Sequence, residues 1–292
     1  MPLMIRAVLR NATVAVLVVL FVAPRARAGE APLTFGLTAV ILQNRSAFLD
    51  RWRQYLARRI ERPVRFVQRR SYSEITELIG SGELDVAWVC GYPFVRNRER
   101  MRLLAVPHWN GRPLYQSYLI VPAGDVRTRD FADLKGDVFA YSDPNSNSGF
   151  LVPRYEMLSA RLNPKRLFRK TFFTWAHEDV VRAVAEGLAQ GGAVDGYIWE
   201  TLARIKPALT ARTRVVRKSE WYGFPPLVTR TDLPASEFAR LRAVLMGMGD
   251  DPAGRRLLAE MNLDGFGNDG PRIFDGVERI MHFVDAINAR QP

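Results

Sequence analysis

Short apolar runs alternate along this chain with longer segments of helical spacing, a pattern that restricts it to an α/β architecture with largely parallel sheets. Residues 33–37 read as a first strand and 64–67 as a second. Between them, Phe48, Leu49, Trp52, Tyr55, Leu56 and Ile60 recur near helical spacing and predict a helix over 47–60. Ser71-Tyr72-Ser73-Glu74 has the form of a capping box and opens a helix at 75–79, which Gly80-Ser81-Gly82 ends before a third strand at 84–89. Strand-like segments at 118–122 and 225–229 bracket a self-contained α/β block from about 120 to 215. The pieces outside it are expected to form one other lobe, so the division is 29–118 with 222–292 for the first lobe and 119–221 for the second. A lobe split by an insertion and joined through two strands is a hinge design.

The first 28 residues read as an export signal rather than fold. Arg6 and Arg10 precede an apolar core at 12–22 that is too short to span a bilayer, and Ala26-Arg27-Ala28 places small residues where a signal peptidase cuts. Cleavage after Ala28 removes four arginines (Arg6, Arg10, Arg25, Arg27) and lowers the formal net charge from +12 to +8. The single cysteine, Cys90, lies deep in the chain, which excludes an intramolecular disulfide and leaves no lipid-bearing cysteine behind the apolar core. A periplasmic, unlipidated monomer with no membrane span is expected. Arginines scatter among carboxylates without aromatic-rich basic runs, so the positive surface is read as raising the local concentration of anions rather than binding nucleic acid.

The chemistry concentrates where an apolar run, 138–141, hands over to a helix around 155–158. Asp143-Pro144-Asn145-Ser146-Asn147-Ser148-Gly149 fills that junction with small donors in front of unpaired helix N–H groups, an arrangement suited to a tetrahedral oxyanion. Ser and Asn are also the preferred helix caps, so capping stands as the alternative. His177 sits at a second such junction, ahead of a helix over 180–188, either as an imidazolium donor to an anion or as a surface histidine. No Cys/His cluster, H-E-x-x-H, G-x-S-x-G or Walker loop occurs, and a Ser146 or Ser148 nucleophile with His177 as base lacks a third, orienting group.

The stretch 143–153, Asp-Pro-Asn-Ser-Asn-Ser-Gly-Phe-Leu-Val-Pro, closely resembles the D-P-x-S-T-S-G-x-L-x-P signature of the phosphate/phosphite/phosphonate-binding proteins of ABC importers. Leu84-Asp85-Val86-Ala87-Trp88, 115–121, Ala176-His177-Glu178 and Ala193-Val194-Asp195-Gly196 resemble other family segments, before and after it, in the same order, so the likeness covers nearly the whole mature chain. It implies a type II periplasmic binding fold, two α/β lobes joined by a two-strand hinge, with no catalytic residue, metal or cofactor. It also implies a small oxyanion ligand delivered to an ABC permease and its ATPase. Carried over residue by residue, the oxyanion pocket comprises Tyr72, Tyr115, Ser146, Asn147, Ser148 and His177. A ligand sensor for a membrane kinase, and an enzyme on the same fold, are the alternatives.

Two departures stand out. Asn147 replaces the family threonine, and the two carboxylates with which aminoalkylphosphonate binders hold an ammonium fall here at Tyr197 and Pro225, with Asp195 and Glu200 nearby. A simple oxyanion or a phosphonate with an uncharged tail is therefore expected. Tyr92, Trp175, Tyr197, Trp199 and Trp221 either line an aromatic wall or pack in the core.

Overall fold

The structure, a computed structural model, describes residues 31–38 and 46–290. The expected export signal at 1–28 lies outside them. The described chain begins β1 (Leu33–Leu37), α1 (Ser46–Ile60), β2 (Val64–Gln68), α2 (Tyr72–Gly80), β3 (Val86–Trp88), α3 (Gly91–Arg96) and β4 (Met101–His108). α1 forms where its apolar residues recur, and Phe48, Trp52, Tyr55, Leu56 and Ile60 are all buried on one face. Trp52 meets Phe35 of β1 and Trp88 of β3 edge-on, which fixes the helix to the sheet. The capping box at α2 is complete: Ser71 Oγ accepts the Glu74 N–H, and the Glu74 carboxylate accepts the Ser71 N–H.

The chain then crosses through β5 (Leu114–Tyr115) into β6 (Ser117–Pro122), β7 (Val138–Tyr141), α4 (Val152–Ser159), α5 (Pro164–Leu167) and β8 (Lys170–Phe173). It continues with α6 (His177–Ala185), β9 (Gly191–Asp195), α7 (Gly196–Ile205), α8 (Pro207–Thr210) and β10 (Thr213–Lys218). The return passes β11 (Tyr222–Gly223) into β12 (Leu227–Arg230), α9 (Ala235–Met246), α10 (Pro252–Met261), β13 (Gly265–Gly267) and α11 (Asp275–Ala289).

Two sheets result, one of six strands ordered β13-β4-β12-β3-β1-β2 and one of five ordered β10-β6-β9-β7-β8. Where the chain crosses between them, β5 and β11 pair as a short antiparallel ladder with Tyr115 opposite Tyr222.

Parallel pairing is confined to β2-β1-β3 and β8-β7-β9. β4, β12 and β13 in the first sheet and β6 and β10 in the second pair antiparallel, so both sheets are mixed rather than largely parallel. The reason is topological. Parallel neighbours need a crossover connection, and the parallel strands here are those that helices join, β1 to β3 through α1 and α2, and β7 to β9 through α4, α5 and α6.

Candidate functional site

The C-terminal ends of β7 and β8 each turn directly into helix, and these two corners touch. Ser146, Asn147 and Ser148 are fully buried at the first of them. Ser146 Oγ accepts the Gly149 N–H (2.9 Å), so this serine does cap the helix that follows, while its own O–H remains a donor. The turn over Asn147–Leu151 is wound as π-helix, a widened geometry common at functional sites, before α4 begins. Ser148 Oγ and Asn147 Oδ1 are buried without a hydrogen-bond partner in the protein, and so is the hydroxyl of Ser142 just upstream. Gly149 is required by space: a Cβ there would sit 1.9 Å from Ser142 Oγ and 3.1 Å from His177 Cε1. That closeness shows how tightly the two corners converge.

Trp175 draws the second corner onto the first. Its N–H donates to Ser142 O (2.6 Å), and its φ of +68° is a strained value for a bulky residue. His177 follows as the first residue of α6 and is 1% exposed. Its Nδ1 accepts the backbone N–H of Asp195 (3.1 Å), and its Nε2 has no protein partner. A second proton on Nδ1 would face that N–H, and burial alone pushes the imidazole down to about 3. The ring is therefore neutral in the protein itself, with its proton on Nε2, and His177 offers an uncharged donor. A nitrogen that already holds its proton also cannot serve as the base for a neighbouring serine. Asp195, whose N–H sets this tautomer, caps α7 by accepting the Ile198 N–H (3.3 Å), and burial pushes its carboxyl up to about 7.

Groups associated with the first sheet reach the same place. Tyr72 begins α2, and its N–H donates across to Asp143 Oδ2 (3.0 Å). Cys90 Sγ, just beyond β3, accepts the Asn147 N–H (3.2 Å) and lies 3.9 Å from the Tyr115 hydroxyl, which accepts Asn147 Nδ2 (3.0 Å). Burial pushes both phenols, Tyr72 and Tyr115, well above the usual tyrosine range and keeps them neutral. Thus all six residues singled out in the sequence, Tyr72, Tyr115, Ser146, Asn147, Ser148 and His177, stand buried where the sheets meet. Sequence reasoning missed Ser142, Asp143 as the acceptor at the start of α2, and Cys90. Cys90 carried one usable signal, its position immediately after a strand at the carboxyl edge of the sheet.

The side chains nearby that invited other roles are engaged elsewhere. Tyr197 donates to Met261 O and packs against Trp109 and Phe224, so it belongs to the core. Glu200 accepts from Tyr118 (3.1 Å) and lies 3.7 Å from Lys218 Nζ. Trp199 donates to Thr213, Tyr92 accepts from Arg96, and Trp221 is 42% exposed beneath the Arg112 guanidinium.

A match to the family described as "ABC transporter, phosphonate, periplasmic substrate-binding protein" spans residues 36–268. The chain belongs to this family. It is also 26% identical over 211 residues to the phosphate-import protein PhnD of Mycolicibacterium smegmatis, a match over 65% of this chain and 64% of that relative, less than two thirds of its length. Among solved structures, a binding-protein component of a phosphonate ABC transporter from Pseudomonas aeruginosa superposes with a TM-score of 0.80 at 22% identity, covering 88% of this chain and 87% of the other. PhnD1 from Prochlorococcus marinus, in complex with methylphosphonate, gives 0.77 at 19% identity over 87% and 98% of the two chains. The phosphonate-binding family expected from residues 143–153 is thus the one matched, and the fold is the type II periplasmic binding fold.

Proposed function

We propose that this member of the phosphonate-binding family captures a phosphorus oxyanion between its two lobes in the periplasm and passes it to an ABC permease and its ATPase. The observation that carries the reading is the set of buried, unpartnered polar atoms at the two touching corners, Ser142 Oγ, Asn147 Oδ1, Ser148 Oγ and His177 Nε2. Buried polar groups without partners are costly, and three of these four belong to side chains that can donate a hydrogen bond to an oxyanion. A hydrogen bond to a charged acceptor contributes about 1.5–3 kcal/mol. Those three bonds with a fourth from the Ser146 hydroxyl, less the cost of closing the lobes, fall in the range of a micromolar complex, about 8 kcal/mol. The division at 29–118 with 222–292 against 119–221, a hinge at the β5–β11 ladder, and removal of residues 1–28 belong to the same reading.

Titration calorimetry on Ser146→Ala with Ser148→Ala tests the pocket. Loss of two donors is expected to weaken methylphosphonate binding by at least about 100-fold. The lost cap at Ser146 lowers stability by only about 1 kcal/mol, so a melting curve separates the two effects. Undiminished affinity would sink the assignment. 2-Aminoethylphosphonate, a zwitterion whose tail carries an ammonium, is expected to bind at least about 100-fold more weakly than methylphosphonate, because a buried ammonium needs a carboxylate. Asp195 is committed to capping α7, and Glu200 is committed to Tyr118 and Lys218. Equal affinity for the two ligands would refute that expectation.

A further inference from the structure

Asn147 presents the wrong kind of atom for a bare anion. One hydrogen of its amide nitrogen is committed to the Tyr115 hydroxyl (3.0 Å), which fixes the amide's orientation, and its backbone N–H is committed to Cys90 Sγ (3.2 Å). The side-chain atom left with no partner at all is Oδ1, a pure acceptor, buried and without a donor, between two serines whose hydroxyls can adapt. The surrounding bonds hold the amide in this orientation. Cys90 Sγ takes the Asn147 N–H and lies 3.9 Å from the Tyr115 oxygen, a contact in which either group can donate. That oxygen accepts from Asn147 Nδ2. An oxyanion with no proton would set its lone pairs against Oδ1. One protonated on a single oxygen would donate to Oδ1 and accept from every other group in the pocket.

Resting on the function proposed above, we propose that Asn147 Oδ1 selects phosphorus oxyanions that carry one P–O–H group, and that the site refuses isosteric sulfonates and sulfate, which carry none at neutral pH. The family threonine at this position could turn a hydroxyl either way. The asparagine amide, with its nitrogen engaged, cannot, and this is the sense in which the substitution narrows the ligand.

The test compares methylphosphonate with methanesulfonate by calorimetry on the full mature chain, at a mildly acidic pH where both are monoanions of the same shape. Methylphosphonate is expected to bind at least about 100-fold more tightly, since a site built to pair with a ligand hydroxyl strongly rejects the analogue without it. In Asn147→Thr the ratio is expected to shrink to within about tenfold through stronger methanesulfonate binding. Asn147→Ser gives the same readout should the threonine variant fail to fold. Wild-type protein that binds both ligands within tenfold overturns the inference and leaves the oxyanion-binding reading standing. A ratio that survives both substitutions also overturns it, by placing selection on another residue. If methylphosphonate, phosphite and phosphate all fail to bind, the function proposed above falls and the inference falls with it.

Discussion

Gly149→Ala is expected to lower affinity for methylphosphonate by about 1000-fold or more, with a fall in melting temperature of only several degrees. The added methyl would lie 1.9 Å from Ser142 Oγ and 2.8 Å from Ser142 Cβ. A rotation of the serine moves the oxygen but not its Cβ, so the backbone of the β7–α4 corner must shift. The same methyl lies 3.1 Å from His177 Cε1, adjacent to the nitrogen that carries the free N–H, so the strain is relieved by turning that donor away. Gly149 does not have a left-handed φ, so the effect is one of space and not of backbone preference. Overpacking of this kind costs about 1–3 kcal/mol in stability, while misaiming several donors at once costs more in binding. Ser142→Gly in the Gly149→Ala background removes both close atoms and is expected to recover part of the affinity, still short of wild type by the about tenfold or more that the lost Ser142 hydroxyl contributes. Calorimetry with a parallel thermal melt measures both quantities. Wild-type affinity in Gly149→Ala would show that the corner is looser than its contacts indicate.

How far the molecule could be read from its sequence follows from the range of each interaction. The α1 stripe, the Ser71–Glu74 capping box and the polar corner at 146–149 are written in residues a few positions apart, and the structure contains them as expected. β4 and β13 were not legible. Arg102 and Pro107 break the apolar pattern of β4, and β13 is Gly-Phe-Gly, a strand only because Phe266 finds Pro107 opposite it. The antiparallel members of both sheets share this dependence on partners far along the chain. Within the site, the donors could be named because they lie in two short segments. The protonation of His177 could not, because a backbone N–H 18 residues away decides it. Nor could the place of Cys90, whose thiol is held by an N–H 57 residues away.

The pairing of His177 with the backbone of Asp195 leads to a stability prediction of the same weight. His177 is held near 3, below its unfolded value, so between about pH 6.5 and 3 the unfolded chain binds a proton that the folded chain refuses. Acidification through that window therefore destabilises the fold, on the order of 1 kcal/mol per pH unit. Asp195 is pushed up to about 7, above its unfolded value, so between about pH 4 and 7 the folded chain holds a proton that the unfolded chain has lost. Its contribution is fully present at low pH and is lost as pH rises through 7, so acidification stabilises. Over the shared window the two slopes oppose each other, and the wild-type contribution from this pair is nearly flat. Asp195→Asn keeps an oxygen to cap α7 and removes only the second slope. Its stability is expected to exceed wild type near neutral pH, with the advantage vanishing by about pH 4. His177→Gln removes only the first slope, so its stability relative to wild type is expected to improve steadily as pH falls from 6.5. Urea denaturation at intervals from pH 4 to 7.5 reads these differences directly. Three parallel stability profiles would mean that neither group is shifted by its burial, and the neutral Nε2–H donor assigned to His177 would then lose its physical basis.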